Sequence, residues 1–213
     1  REHNIPYLGL CFGMQMAVIE FARNVLNLKD ANTTEADPKT KYPVIHTMES
    51  QIKNLETKKY GGTIRLGAYS CKLKRGSFLQ KCYSKAGNNK INIVSERHRH
   101  RYEFNNKYKK MFEKNGMVFS GTSPDGKLVE AIELPNNKFF VGTQFHPEYK
   151  SRPRSPHPIF VEFLKSCVGV LGFAIHKTTF LGTIEESTPT SLRVGVLGFE
   201  PRASASQTQR STN

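Results

Sequence analysis

Apolar residues recur at two spacings along this chain, and the change from one to the other marks its elements. Residues 5–10 form a short apolar run of the length of a buried strand. Met14, Ala17, Val18, Phe21, Val25 and Leu28 then recur at helical spacing, which predicts a helix over 13–28 with one apolar face. Asn32-Thr33-Thr34-Glu35 and Asp37-Pro38 punctuate a loop. The pattern next predicts a strand over 63–71, a turn at Gly87-Asn88-Asn89 and a strand over 91–94. A short basic helix over 106–114, closed by Gly116, follows. Three strand-like runs come in quick succession over 117–122, 128–134 and 139–145, separated by Asp125-Gly126 and Pro135-Asn136-Asn137. An early strand–helix unit and a late meander imply an α/β sandwich.

From about residue 164 the periodicity stops, and Gly, Ser and Thr accumulate. Val-Gly-Val-Leu-Gly-Phe occurs at 168–173 and again at 194–199, too short a unit for a structural repeat. The expected organisation is one domain over 1–164 and a weakly ordered tail over 165–213.

At 213 residues the chain is long enough for one domain with a core of useful size. Formal charge is +14, and residues 53–110 hold 16 Lys and Arg against 3 Asp and Glu. Such a stretch attracts nucleic acid, nucleotides or an acidic neighbouring domain. Its aromatic residues lack the regular stacking pattern of single-strand binders, so a solvated or domain-facing surface is the expectation, not a nucleic-acid partner. Cys11, Cys71, Cys82 and Cys167 show no CxxC spacing and no secretory signal precedes them, which predicts free thiols in a reducing, cytoplasmic setting. No apolar run approaches the roughly 20 residues that cross a bilayer.

Two short segments carry chemistry. Gly9-Leu10-Cys11-Phe12-Gly13 places a cysteine between glycines where the first strand turns into the first helix, the geometry of a nucleophile elbow. Phe145-His146-Pro147-Glu148 ends the last strand-like run and supplies a base with a carboxylate two residues on. A thiol attacks carbonyl carbon only as thiolate, so it needs that base, or a positive field such as a helix N-terminus. The Phe12 backbone N–H is placed to receive an oxyanion. In an extended segment Glu148 shares a face with His146 and can hold its second nitrogen, and Pro147 biases His146 toward that geometry. Together these imply acyl transfer by a glutaminase-type triad of Cys11, His146 and Glu148.

Gly9-Leu10-Cys11-Phe12-Gly13-Met14-Gln15 and Gln144-Phe145-His146-Pro147-Glu148 resemble the class I glutamine amidotransferase signatures. Three further stretches narrow the resemblance to the amidotransferase domain of the CTP synthase family: Asn32-Thr33-Thr34-Glu35, Gly61-Gly62-Thr63-Ile64-Arg65-Leu66-Gly67, and Glu96-Arg97-His98-Arg99-His100-Arg101-Tyr102. Residues 146–158 are similar to the eukaryotic form. The resemblance covers roughly residues 5–164. It implies a flavodoxin-like mixed sheet flanked by helices and incomplete at its N-terminus. It also implies L-glutamine as substrate, met by Phe12, Gly13, Met14, Gln15, Glu35 and Arg101. Glu35 suits an α-ammonium, and Arg101 offers forked donors to an α-carboxylate. Ammonia would pass to a synthetase domain that uses ATP and Mg2+ to aminate UTP, with GTP as activator and a homotetramer as the assembly. No cofactor is expected in the chain itself.

Phe12 stands where the family usually has leucine, with little effect expected, because the backbone amide acts. Only ten residues precede Cys11, whereas the family has further strands and a glycine-rich oxyanion loop upstream. The expectation is therefore a carboxy-terminal fragment with little glutaminase activity of its own. Competing readings are another thiol glutaminase or γ-glutamyl hydrolase, a basic nucleic-acid-binding module, and a non-catalytic assembly fragment. Strand alternation puts Arg97, Arg99 and Arg101 on one face and His98 and His100 on the other. The two histidines are not expected to bind zinc, lacking cysteine or carboxylate company.

Overall fold

In the computed structural model, residues 1–47, 65–84 and 91–168 are described. The chain runs through β1 (Tyr7–Leu10), α1 (Phe12–Asn24), β2 (Ala31–Thr33), β3 (Tyr42–Thr47), β4 (Arg65–Leu73), α2 (Phe78–Ser84), β5 (Ile93–His100) and β6 (Tyr102–Phe104). After a 3-10 turn at Asn106–Tyr108 come α3 (Lys109–Lys114), β7 (Val118–Thr122), β8 (Val129–Glu133) and β9 (Phe140–Thr143), then a second 3-10 turn (Pro147–Tyr149) and α4 (Pro158–Val168).

Six strands form one mixed sheet in the order β1-β9-β8-β7-β4-β5, and β2-β3-β6 form a second, smaller sheet. β1 lies parallel to β9, from Tyr7 opposite Phe140 to Leu10 opposite Thr143. The ends of these two strands thus bring the early and late segments of the sequence together. β7, β8 and β9 form the expected antiparallel meander. Alternation along the strands sends side chains into two cores, one on each face. Met14, Val18 and Phe21 of α1 pack with Phe104, Phe112, Phe119, Ile132 and Phe140 on one side. Leu79 and Tyr83 of α2 and Ile159 of α4 pack with Cys71, Phe139, Val141 and Phe145 on the other. This is the mixed α/β sheet with flanking helices that the sequence implies.

Several boundaries move. The first strand starts at Tyr7, because Ile5 is exposed, and α1 ends at Asn24. Leu26 and Leu28 still pack on the core from beyond the helix end. The basic run fuses with 93–94 into β5, whose Glu96, His98 and His100 are buried while Arg97 and Arg99 face out. The expected short basic helix is a 3-10 turn followed by α3, and Gly116 closes it at φ 99°. β2, β3, β6, α2 and α4 had no counterpart among the expected elements. The expected boundary at 164 falls inside α4. The turn at 87–89, the Gly61–Ile64 part of one motif and the tail from 169 lie outside the described residues.

Candidate active site

Cys11 is the residue between β1 and α1, with φ 48° and ψ −101°. A non-glycine residue holds this left-handed backbone only where its surroundings fix it. Here the Cys11 N–H donates to the Thr143 carbonyl at 2.6 Å, and the Tyr7 hydroxyl donates to the Gly13 carbonyl at 2.8 Å. Gly9 lets the turn close: a Cβ there would stand 2.7 Å from the Gly13 carbonyl carbon and 2.8 Å from the Tyr7 ring. Gly142 does the same for the helix, since its Cβ would meet Ile132 at 2.8 Å and Met14 at 3.0 Å. No acidic residue sits in the first turn of α1, so the positive end of its dipole is left for the sulfur.

The end of β9 carries His146, the residue expected to act as base. Phe145 is fully buried and anchors the segment, and the His146 N–H donates to the Arg97 carbonyl at 2.8 Å. His146 Nδ1 lies 2.6 Å from Glu148 Oε1. A carboxylate only accepts, so Nδ1 carries a proton, and in the neutral ring the lone pair is then on Nε2. Nε2 is buried and has no hydrogen-bond partner among the described residues, and the ring stacks on Tyr149 at 5.1 Å. The contact forms differently from the extended arrangement expected: Glu148 lies in the 3-10 turn Pro147–Tyr149, which folds its carboxylate back. Lys150 continues this anchoring, donating to the Ser95 carbonyl at 2.6 Å and approaching the buried Glu96 carboxylate at 3.3 Å.

The thiol itself bonds neither His146 nor Glu148. Its partner is Gln144 Nε2, at 3.6 Å, and the Gln144 Oε1 accepts from Gln15 Nε2 at 3.3 Å. Burial pushes the Cys11 thiol pKa up; the Phe12 backbone N–H and the Gln144 amide pull it down, and the Glu148 and Glu103 carboxylates push it up again. The balance leaves the thiol above its ordinary value, on the side of the neutral form.

A cavity of about 290 Å³ opens at the sulfur, lined by Cys11, Phe12, Gln15, Glu35, Arg99, His100, Arg101 and Tyr102. Of the residues expected to meet substrate, Phe12, Gln15, Glu35 and Arg101 line it. Glu35 is exposed there, and Arg101 has a buried Nε without a partner among the described residues. Phe12 turns its ring outward, 55 % exposed. Gly13 does not line the cavity, and the fully buried Met14 side chain belongs to the core. Gln15 is also buried, and its Nε2 is already engaged by the Tyr102 carbonyl at 3.1 Å. Gln144 escaped sequence reasoning as a functional residue, as did Tyr102.

Behind the cavity lies a buried ionic cluster. Arg65 Nη2 is 2.7 Å from Glu130 and its Nη1 3.7 Å from Glu103. His98 Nδ1 and His100 Nε2 are 2.8 Å apart; His98 lies 3.7 Å from Glu130, and His100 3.4 Å from Glu103. The two histidines thus have the carboxylate company that the sequence argument denied them. Among the described residues, no group of three or more His, Cys, Asp and Glu is arranged to hold a metal ion.

Residues 1–166 match the family described as glutamine amidotransferase class-I. The chain is 55 % identical over 168 residues to a CTP synthase of Aquifex aeolicus (strain VF5), covering 79 % of this chain and 30 % of that protein. It is 54 % identical over 166 residues to a CTP synthase of Staphylococcus aureus (strain NCTC 8325 / PS 47), covering 78 % of this chain and 29 % of that one. Among solved structures it is similar to the glutaminase domain of Trypanosoma brucei CTPS with bound acivicin. The TM-score is 0.72 and the identity 37 %, over 79 % of this chain and 62 % of that one. The chain spans less than a third of the curated relatives' length.

Proposed function

The chain belongs to the class I glutamine amidotransferase family, and from that premise we propose that it is the glutamine-hydrolysing part of a CTP synthase. The observation that carries this reading is the strained Cys11 elbow opening onto a cavity that also holds Glu35 and Arg101. An anion and a cation beside one nucleophile suit the α-ammonium and α-carboxylate of an amino acid.

The chemistry follows from the residues in place. His146 Nε2 removes the thiol proton, and Glu148 stabilises the imidazolium from Nδ1. The thiolate attacks the side-chain amide carbon of glutamine, and the carbonyl electron pair moves to oxygen near the Phe12 N–H. His146 returns its proton to the leaving nitrogen, the C–N bond breaks, and ammonia departs from a thioester. Water, deprotonated by the same imidazole, then attacks the thioester; the C–S bond breaks and glutamate leaves.

Identity above 50 % to CTP synthases supports the acceptor side of the proposal. Ammonia passes to a synthetase domain that uses ATP and Mg2+ to aminate UTP, with GTP as activator and a tetramer as the assembly. The free Cys11, Cys71, Cys82 and Cys167 support a reducing, cytoplasmic setting. The test is Cys11→Ala in the protein that joins this chain to its synthetase domain. CTP formation from glutamine should be lost and formation from added ammonia kept. Unchanged use of glutamine would overturn the assignment.

A further inference from the structure

Gln144 is fully buried and sits one residue after the carbonyl that grips the Cys11 N–H and two residues before His146. Its own backbone N–H donates to the Glu130 carbonyl at 2.8 Å, so the strand end cannot turn it elsewhere. The direction of its carboxamide is fixed by a chain of bonds that starts on a backbone atom. The Tyr102 carbonyl oxygen can only accept, so the Gln15 atom 3.1 Å away is nitrogen. The same nitrogen faces Gln144 at 3.3 Å, and only oxygen can receive its second hydrogen there. Gln144 must therefore present its NH2 group to the Cys11 sulfur, at 3.6 Å.

A neutral thiol is a poor acceptor and gains little from such a donor. A thiolate gains much more, because the bond becomes charge-assisted and its donor, held in place by its own buried partners, needs no reorganisation. We propose that Gln144 is a further catalytic residue of this site, its carboxamide donating to the Cys11 sulfur and holding the thiolate form. The same bond serves both halves of the reaction. It favours the ion that attacks the amide carbon, and it stabilises the thiolate that re-forms when water displaces the acyl group and the C–S pair stays on sulfur. Gln15, bonded to the Tyr102 carbonyl, polarises the Gln144 amide from behind and makes it a better donor. The downward pull of the Gln144 amide on the Cys11 thiol, against burial, has the same sign. This inference rests on Cys11 being the nucleophile, but not on glutamine being the substrate.

The test is the pH dependence of Cys11 alkylation by iodoacetamide on the 213-residue chain, followed by peptide mapping so that the other thiols do not contribute. Gln144→Leu and Gln144→Met keep the volume and remove the donor. Each should raise the alkylation midpoint by about 1–2 pH units, the size expected for one hydrogen bond to a charged group. A midpoint that stays in place in a variant with native circular dichroism would mean that Gln144 is structural, and would overturn the proposal. Neither variant is needed for a second readout. In the unmutated chain labelled with 15N-glutamine, one side-chain amide resonance should titrate with the alkylation midpoint, and a set of amides that all ignore the thiol would also overturn the proposal. Iodoacetamide needs no amino-acid pocket, so a chain that ignores glutamine yet shows the shift refutes the glutaminase reading and leaves Gln144 in its role.

Discussion

The tightest approach in the site is at Gly9, where a Cβ would stand 2.7 Å and 2.9 Å from backbone atoms of Gly13 that cannot swing aside. Gly9→Ala should therefore cost about 1–3 kcal/mol in stability, the range for overpacking a filled site. It should also slow Cys11 alkylation by displacing the start of α1. Urea unfolding with alkylation kinetics on the same samples checks both; a variant with wild-type stability would mean that the elbow is looser than its contacts indicate. At this scale the sequence was informative wherever a residue's role is local. Glycines around a cysteine announce a strained turn, and His-Pro-Glu announces an imidazole held by its own carboxylate. Gln144 announced nothing, because its contact is with a sulfur 133 positions away. Met14, grouped in the sequence with the residues expected to meet substrate, has its side chain turned into the core by the helix.

β4 and β5 pair over eight positions, from Arg65 opposite His100 to Lys72 opposite Ile93, and the end of this ribbon with the start of β6 forms the Arg99–Tyr102 wall of the cavity. Its inner face is charged, which sets a pH signature. Burial, followed by the Glu130 charge, holds the Glu103 carboxyl up at about 8 from an ordinary 4.5, against the pull of Arg65. Glu130 is raised as well, burial leading. Burial, followed by Arg65, pushes His98 down to about 2 and His100 to about 3 from 6.5. A carboxyl held high gives stability that is complete below its unfolded pKa and is lost as pH rises through the folded one. A histidine held low gives stability that is complete above 6.5 and is lost as pH falls. The cluster is thus most stabilising near pH 6.5. Above that, stability should fall by about 1.4 kcal/mol per pH unit toward pH 8. Glu103→Gln, which mimics the protonated acid, should flatten that slope in urea titrations between pH 6.5 and 8; an unchanged slope would place the lost proton elsewhere. Periodicity revealed the long, regular elements, α1 and the β7–β9 meander. β3 stayed hidden behind Pro43, which reads as a strand breaker, and β2 behind loop-forming Asn32 and Thr33. α2 is too short, at seven residues, to show a period.

For the molecule as a whole, the basic balance of +14 does not translate into one uniform surface. Within the described part of 53–110, Arg97 and Arg99 are exposed, Arg101 faces the cavity, and Arg65 is buried between two carboxylates. A charge count cannot separate these three uses, whereas strand alternation separated Arg97 and Arg99 from His98 and His100; Arg101, beyond the end of β5, does not follow it. The α/β class was legible because strand and helix patterns alternate early. The order of the sheet was not, since the parallel pairing of β1 with β9 joins the two ends of the domain and leaves no local trace. That pairing assembles the site, bringing the elbow of Cys11 against Thr143 and Gln144 and, through β9, the base. The measurement that tests this most directly is labelling of the chain with the glutamine analogue diazo-oxo-norleucine, with peptide mapping by mass spectrometry. The account predicts modification of Cys11, competed by L-glutamine and abolished in His146→Ala. Equal labelling of Cys71, Cys82 and Cys167, or labelling of Cys11 that glutamine does not suppress, would contradict it.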